Sequence, residues 1–199
     1  MLMATLPEVR ERLRQDLSDS GEERWPDDQL DRHIEHALAE LSLAVPQELS
    51  ETMATTPGSR DLATDGLAGL IEVVAIEFPV DDFPPCYASF ASWGQVVTLH
   101  TSTPPDGADA RIYYTAAHVL DDDGSTLPDM LLDVLLTGAG AYAALELASG
   151  TTEKLNLDPA ATAKYAAWAR ARLTAFQQLL HTYSRKNVVR PRRMYRPAG

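Results

Sequence analysis

The sequence has a single cysteine, Cys86, so an internal disulfide and a thiolate metal cluster are both excluded. Apolar residues make up 45% of the 199 residues, which is typical of a folded domain. No apolar run reaches the roughly 18–20 residues that a membrane helix needs, so we expect no membrane span. The first residues lack the basic start and apolar stretch of a signal peptide, and we therefore expect an uncleaved chain.

Sequence motifs for catalysis are also missing. There is no phosphate-binding glycine loop, nucleophile elbow or paired-carboxylate motif, and Cys86 has no flanking motif that places a histidine beside it. His33 and His36 lie three positions apart, outside the apolar stripe of their helix, which predicts a solvated polar face. Residues 121–123 are three aspartates that do not fit the twelve-residue calcium loop, which favours a turn before a helix. We expect no catalytic residue, metal or cofactor.

Charge is distributed unevenly along the chain. Seventeen Lys and Arg against 29 Asp and Glu give a net charge of −12. Residues 185–199 contain six basic residues and no acid, which leaves 11 basic against 29 acidic residues, or −18, on residues 1–184. An acidic body repels nucleic acid and most membranes, whereas a short basic tail favours an acidic or polar groove on a partner.

Apolar spacing of three to four predicts four helices, over about residues 6–18, 26–45, 128–149 and 158–183. A capping box at Thr5–Glu8 starts the first. The third is nearly all apolar, so we expect it to be buried on most sides, and its small residues allow another backbone to come close.

The segment between the second and third helices is rich in turn signals and β-branched residues, which predicts an antiparallel meander of four to six strands. The fold class is therefore α+β, mainly a bundle of about four helices with an inserted antiparallel β meander and an extended C-terminal tail. We divide the chain into N-terminal bundle helices (1–50), a β insertion (51–118), C-terminal bundle helices (119–184) and an extended basic tail (185–199).

The basic tail mixes charged residues with apolar ones, and Pro191 discourages a helix there. Fifteen extended residues could reach roughly 50 Å. Docking of the tail into a groove on another protein is favoured over plain disorder and over contact with nucleic acid. The candidate docking residues are Arg185, Lys186, Val188, Val189, Arg190, Arg192, Arg193, Met194, Tyr195 and Arg196.

The order of several weak motifs resembles one family. The motifs are RWPDDQLDRHI at 24–34, TTPGSR at 55–60, PPCY at 84–87, FASWG at 90–94, GSTLP at 124–128 and an alanine-rich helix at 138–149. Together, over about residues 5–197, they resemble the head–tail adaptor (connector) proteins of tailed bacteriophages and related prophage-like particles. One departure is Pro26, where relatives tend to carry a capping Ser or Thr, and Asp27 is the candidate replacement.

The resemblance implies a structural, non-enzymatic role in the virion neck, for a protein made in the cytoplasm of the host bacterium. Such adaptors form a ring of about twelve copies beneath the portal protein, and their C-terminal segments dock on it. The other face of the ring receives the next connector or tail-completion protein, while genomic DNA passes through the lumen without specific binding. We expect the β insertion to take part in the ring contacts.

Two other functions stay open from the residues alone. The first is a nucleic-acid-associated protein that uses the basic tail as an arm, which the acidic body disfavours. The second is a hydrolase or metal-binding enzyme that uses His118 with Asp121–Asp123, which the missing motifs disfavour.

Overall fold

The computed structural model describes residues 4–19, 21, 24–150 and 159–187. These residues form an α+β protein, as predicted, and divide into two compact units. The helical unit combines the described residues up to Val45 with those from His118 onward, and the β unit is Pro46–Ala117. The helices are α1 (Leu6–Asp16), α2 (Asp27–Ala44), α3 (Asp129–Gly150) and α4 (Pro159–Asn187). The strands are β1 (Gln47–Ala54), β2 (Asp61–Ala63), β3 (Leu70–Glu77), β4 (Tyr87–Ala88), β5 (Phe90–Trp93), β6 (Val96–Leu99) and β7 (Asp109–Ala116).

Helix α1 begins with the predicted capping box. The Thr5 backbone N–H donates to the Glu8 carboxylate at 3.0 Å, and the Glu8 backbone N–H donates to the Thr5 hydroxyl at 3.5 Å. Both donors would otherwise lack a partner in the first turn. Val9 and Leu13 are buried in the core of the helical unit, so the cap fixes where the apolar face of α1 begins.

Helix α2 begins without the side-chain cap that the sequence suggested. Its N-cap is Pro26, and no side chain accepts a hydrogen bond from the first turn, so the expectation that Asp27 replaces a capping Ser or Thr is wrong. Asp27 is instead the first helical residue and accepts hydrogen bonds from Arg10 and Arg14 of α1. The bond from Arg14 lowers the pKa of Asp27. The carboxylate therefore links two helices while it complements the positive end of the α2 dipole.

Helix α3 is the core of the helical unit. Leu131, Leu135 and Ala139 are buried in one cluster with Trp25, whose indole N–H donates to the Ala143 carbonyl at 3.3 Å. Residues 129–149 have a mean hydropathy of 1.5 over an 18-residue window, so this helix is long and apolar enough to cross a membrane, contrary to the expectation from run length. Because 61% of that window is buried inside the unit, α3 has the character of a core helix.

At Gly138 a side chain, and not the backbone that the small residues of α3 predicted, approaches α3 closely. The ring of Phe176 on α4 lies directly over this glycine, and a β-carbon built there would be 2.7–2.9 Å from three ring atoms. Phe176 is fully buried. The absence of a side chain at Gly138 therefore sets how closely α4 packs against α3.

The β unit contains two antiparallel sheets. The four-stranded sheet has the order β1-β7-β3-β4, and the three-stranded sheet has the order β2-β6-β5. The strands pair antiparallel, as predicted. However, β7, the last strand of the unit, lies between β1 and β3, so the strand order is not that of a meander. β1 starts at Gln47, four residues before the predicted boundary of the insertion, and His118 belongs to the helical unit.

Helix α4 is longer at its C-terminal end than the apolar pattern indicated. It continues to Asn187, so Arg185 and Lys186 lie in its last turn and not in an extended tail. The apolar stripe ends near Tyr183, but cations at the negative end of a helix dipole favour continuation for another turn. The extended part of the tail can thus begin only after Asn187.

Candidate interaction surfaces

The three-stranded sheet exposes an aromatic side chain at the tip of a hairpin. Gly94, at φ +59°, and Gln95 form the turn between β5 and β6, and Trp93 immediately before it is 89% exposed. Trp93 pairs with Val96, which in turn pairs with Ala63. Cross-strand partners face the same side of a sheet, so these three residues form an exposed apolar row.

A second exposed aromatic lies in the loop between β3 and β4. Phe83 is 98% exposed and is preceded by two aspartates and followed by two prolines. The β unit therefore exposes two large aromatic side chains, Trp93 and Phe83, almost completely. In the sequence, Trp93 enters only as part of the motif at 90–94 and Phe83 is not among the candidates, although an aromatic residue beside Gly or Pro in a polar loop is a recognisable signal.

The β unit also contains a cleft of about 730 Å³ between β3 and the β5–β6 hairpin. Leu67, Val73 and Phe90 contribute apolar surface to it, and Asp65 and Glu72 contribute exposed carboxylates. The described residues that line the cleft include no Lys, Arg or His. The cleft therefore offers apolar contact together with negative charge.

The acidic character extends over the whole β unit. Residues 46–117 carry ten Asp and Glu against two Arg, a net charge of −8. Arg60 donates to the Thr101 carbonyl at 3.0 Å, and Arg111 donates to the buried Glu77 at 3.0 Å. Tyr113 also donates to Glu77, at 2.9 Å, and burial raises the pKa of its hydroxyl. Both cations are thus engaged inside the unit, and the surface field is dominated by acids.

The helical unit exposes aromatic side chains along α4. Tyr165 and Trp168 line a groove of about 310 Å³ with Leu17 at the end of α1. The Arg172 guanidinium lies 5.0 Å from the Trp168 ring centroid and donates to Asp16 at 2.8 Å. The cation and the ring stabilise each other's position, so this aromatic surface is held in place by contacts within the unit.

His33 lies on α2 at a position next to α3, although the sequence predicted a solvated face there. The side chain is buried, and its Nε2 is 2.7 Å from the Glu146 carboxylate in an alignment unsuited to a hydrogen bond. Burial lowers the pKa of His33 despite the nearby carboxylate, and a hydrogen bond from Arg32 lowers the pKa of Glu146. The expectation fails for His33 because α2 packs on α3 over a wider face than its apolar stripe. His36 is exposed, as predicted, and is 3.3 Å from Glu40.

Asp121 and His118, which the sequence offered as candidates for catalysis or metal binding, make hydrogen bonds to nearby loops and turns. Asp121 accepts the backbone N–H groups of Asp123 and Gly124, which is the turn that the sequence favoured. The ring nitrogens of His118 lie 3.2 Å from the Thr126 hydroxyl and 3.0 Å from the Val45 carbonyl, so one tautomer satisfies both. Cys86 is an exposed free thiol. Within the described residues, no group of three or more His, Cys, Asp or Glu could hold a metal ion.

The predicted docking residues fall into two groups. The backbone of Arg185 and Lys186 lies in the last turn of α4. The others lie outside the described residues: Val188, Val189, Arg190, Arg192, Arg193, Met194, Tyr195 and Arg196. The structure therefore places only the first two of these candidates, at the end of α4.

The comparison with protein families bears on both units at once. The model of the SU10 adaptor protein family matches residues 4–195, which includes both units and most of the basic tail. The chain belongs to the SU10 adaptor protein family. This confirms the resemblance to phage head–tail adaptors that the motif order suggested, and with it a structural phage adaptor as the class of protein.

Comparison with solved structures found a likeness to a chain in the "Neck of native GTA particle computed with C12 symmetry". The two chains are 13% identical, the match covers 71% of this chain and 82% of that chain, and the TM-score is 0.31. At these values the family assignment rests on the family model alone. A search of curated proteins found no match.

Proposed function

We propose that this protein is a head–tail adaptor that assembles as a ring of about twelve copies beneath the portal, in the neck of a tailed phage particle. It docks on the portal through the basic tail, and its other face receives the next connector or tail-completion protein. The observation that carries the proposal is the family match over residues 4–195, because it spans both units and all but one of the candidate docking residues.

The basic tail has the chemistry that docking on a protein requires. Arginine forks at 190, 192, 193 and 196 can pair with carboxylates, and Tyr195 supplies an aromatic anchor between them. Since α4 ends at Asn187, twelve residues follow it, and in extended form they could reach about 40 Å. A segment of that reach can extend well beyond the end of α4 to contact a partner.

The acidic body suits a channel through which DNA moves. A net charge of −18 on residues 1–184 repels phosphates, so a lumen lined by this surface would let the duplex pass without adhering. The exposed Trp93 and Phe83 of the β unit are the residues that we assign to contacts between neighbouring copies. Tryptophan is enriched among the few residues that carry most of the binding energy of protein interfaces.

Charge reversal in the tail tests the docking step. In a variant with Arg190→Glu, Arg192→Glu and Arg193→Glu, we expect loss of binding to the portal ring with the helical circular dichroism signal unchanged. The matched control reverses Arg170, which is exposed on α4 within the helical unit. Full occupancy of the portal by the triple variant would show that the tail is not the docking segment. Salt-dependent binding of duplex DNA by the wild type, lost in the variant, would instead favour the nucleic-acid function.

A further inference from the structure

The loop between β3 and β4 presents Phe83 on a fixed base. The Phe78 backbone N–H donates to the Cys86 carbonyl at 2.9 Å, which closes the loop where it leaves the sheet. Inside the loop, the Asp81 backbone N–H donates to the buried Glu77 carboxylate at 3.4 Å, and that carboxylate is itself held by hydrogen bonds from β7. Phe83 is 98% exposed. A side chain held in place before binding reduces the ordering cost of forming an interface.

The tip of this loop combines an aromatic ring with negative charge. Asp81 and Asp82 directly precede Phe83, and all three residues are exposed. Asp81 is 3.4 Å from Arg111, but its side chain is 86% exposed and can still face a partner. A surface that covers Phe83 must therefore offer an apolar recess with cations, and not acids, beside it.

The cleft of the β unit does not offer such a surface. Its described lining residues include Asp65 and Glu72, both exposed, and no Lys, Arg or His. Asp81 and Asp82 would be repelled there, so this cleft is a poor receptor for the loop of another copy.

The groove between the end of α1 and α4, in the helical unit, has the required apolar recess. Leu17, Tyr165 and Trp168 line it, and its volume of about 310 Å³ suits a single side chain, not a helix or a strand. Tyr165 and Trp168 are 36% and 39% exposed, so an inserted aromatic ring can pack against both.

Cations lie beside the aromatic side chains of this groove. Lys164 lines it, and Arg24 donates to the Tyr165 hydroxyl at 3.1 Å. Both cations are exposed. Among the described lining residues the acid is Asp16, which accepts a hydrogen bond from Arg172 at 2.8 Å. The described part of the groove therefore complements the charge of the Phe83 loop.

We propose that the Phe83 loop of one copy inserts into the α1–α4 groove of a second copy, with Phe83 against Tyr165 and Trp168 and with Asp82 beside Lys164. The loop and the groove are different surfaces, so the contact is head-to-tail, and contacts of this kind close into rings or continue as filaments. The contact itself stands on the loop and the groove, whereas its place in a neck ring rests on the proposed function.

Disulfide trapping between two variants of the full-length chain tests the contact. Both carry Cys86→Ser, and one adds Asp82→Cys while the other adds Lys164→Cys. With oxidised glutathione as the oxidant, we expect the mixed disulfide to form about tenfold faster than in a control mixture with Thr174→Cys in place of Lys164→Cys. Thr174 is also exposed on α4, but it lies about 15 Å further along the helix. Equal rates in the two mixtures would overturn the proposal.

Substitutions in the Asp82→Cys variant test the ring and the charge separately. Phe83→Ser is expected to slow trapping about tenfold, whereas Leu43→Ser, at a 71% exposed site on α2, leaves the rate unchanged. Asp81→Lys is expected to slow trapping about threefold at low salt, and Asp65→Lys, an exposed acid outside the loop, serves as its control. Equal effects of a loop substitution and its control would contradict the insertion of the loop.

Binding to the portal ring separates this proposal from the proposed function. If the mixed disulfide forms selectively but the wild type does not bind the portal ring, the contact between copies stands and the portal-docking function fails. If the wild type binds the portal ring but the two cysteine mixtures react at equal rates, the function stands and the contact between loop and groove is refuted.

Discussion

The packing of α4 against α3 predicts opposite effects for alanine at two neighbouring glycines. In Gly138→Ala, the added methyl group would lie 2.7–2.9 Å from atoms of the Phe176 ring, which is fully buried and cannot swing into solvent. In Gly140→Ala, the methyl group would lie 3.4–3.5 Å from the Arg172 guanidinium group, which is an ordinary contact with a flexible side chain. The two changes add the same group to the same helix, two residues apart.

The magnitudes follow from two opposing terms. Replacing glycine by alanine within a helix contributes about 1 kcal/mol at either position. Overpacking a buried site costs about 1–3 kcal/mol, and only Gly138 incurs it. We therefore expect Gly140→Ala to be stabilising by up to about 1 kcal/mol and Gly138→Ala to be destabilising by about 1 kcal/mol. For a chain of this size each kcal/mol shifts the Tm by about 2–4 °C.

Thermal denaturation followed by circular dichroism at the helical minimum measures this difference, because the signal reports mainly on the helical unit. A Tm for Gly138→Ala about 4–8 °C below that of Gly140→Ala would support the packing. Combining Gly138→Ala with Phe176→Leu should give a smaller loss than the sum of the single losses, since a smaller side chain leaves room for the methyl group. Equal Tm values for the two glycine variants would refute the close approach of Phe176 to α3.

Two further predictions concern the α2–α3 contact and the β unit. Burial lowers the pKa of His33 below its ordinary value of 6.5, so the unfolded chain binds a proton at a pH where the folded chain does not. The free energy of unfolding is therefore expected to fall as the pH falls below 6.5. His33→Gln should reduce this pH dependence, measured by urea titrations at about pH 7.5 and 5.5. An unchanged pH dependence would show that His33 is not its source. Trp93→Ser, at an 89% exposed site, should change the Tm little yet weaken ring assembly measured by analytical ultracentrifugation, whereas unaffected assembly would remove Trp93 from the interface.

The helices were predictable because their determinants are local. Each determinant involves only a few neighbouring residues: a capping box at Thr5, an apolar run in α3 and a proline at the start of α4. The structure has a helix at each of these places. The end of α4 was misplaced because helix continuation past Tyr183 depends on charges and the helix dipole, which an apolar pattern does not show.

The sheet order and the buried His33 depend on distant parts of the chain. β7 lies between β1 and β3, and its pairing with β1 joins residues more than 50 positions apart. Turn signals indicate only which consecutive strands pair, so they cannot reveal this contact. His33 is buried because Glu146 and the rest of α3 cover a polar position of α2. The cleft is likewise formed by two sheets, and no single segment of the sequence indicates it.

Mass photometry of the portal ring mixed with this protein tests the central claim most directly. The full-length chain is compared with a chain that ends at Asn187, which keeps α4 intact and removes only the residues after it. We expect the portal ring to gain mass equal to about one adaptor per subunit with the full-length chain and none with the shortened one. Equal gains with both would contradict docking through the basic tail, and no gain with either would contradict the adaptor function at the portal.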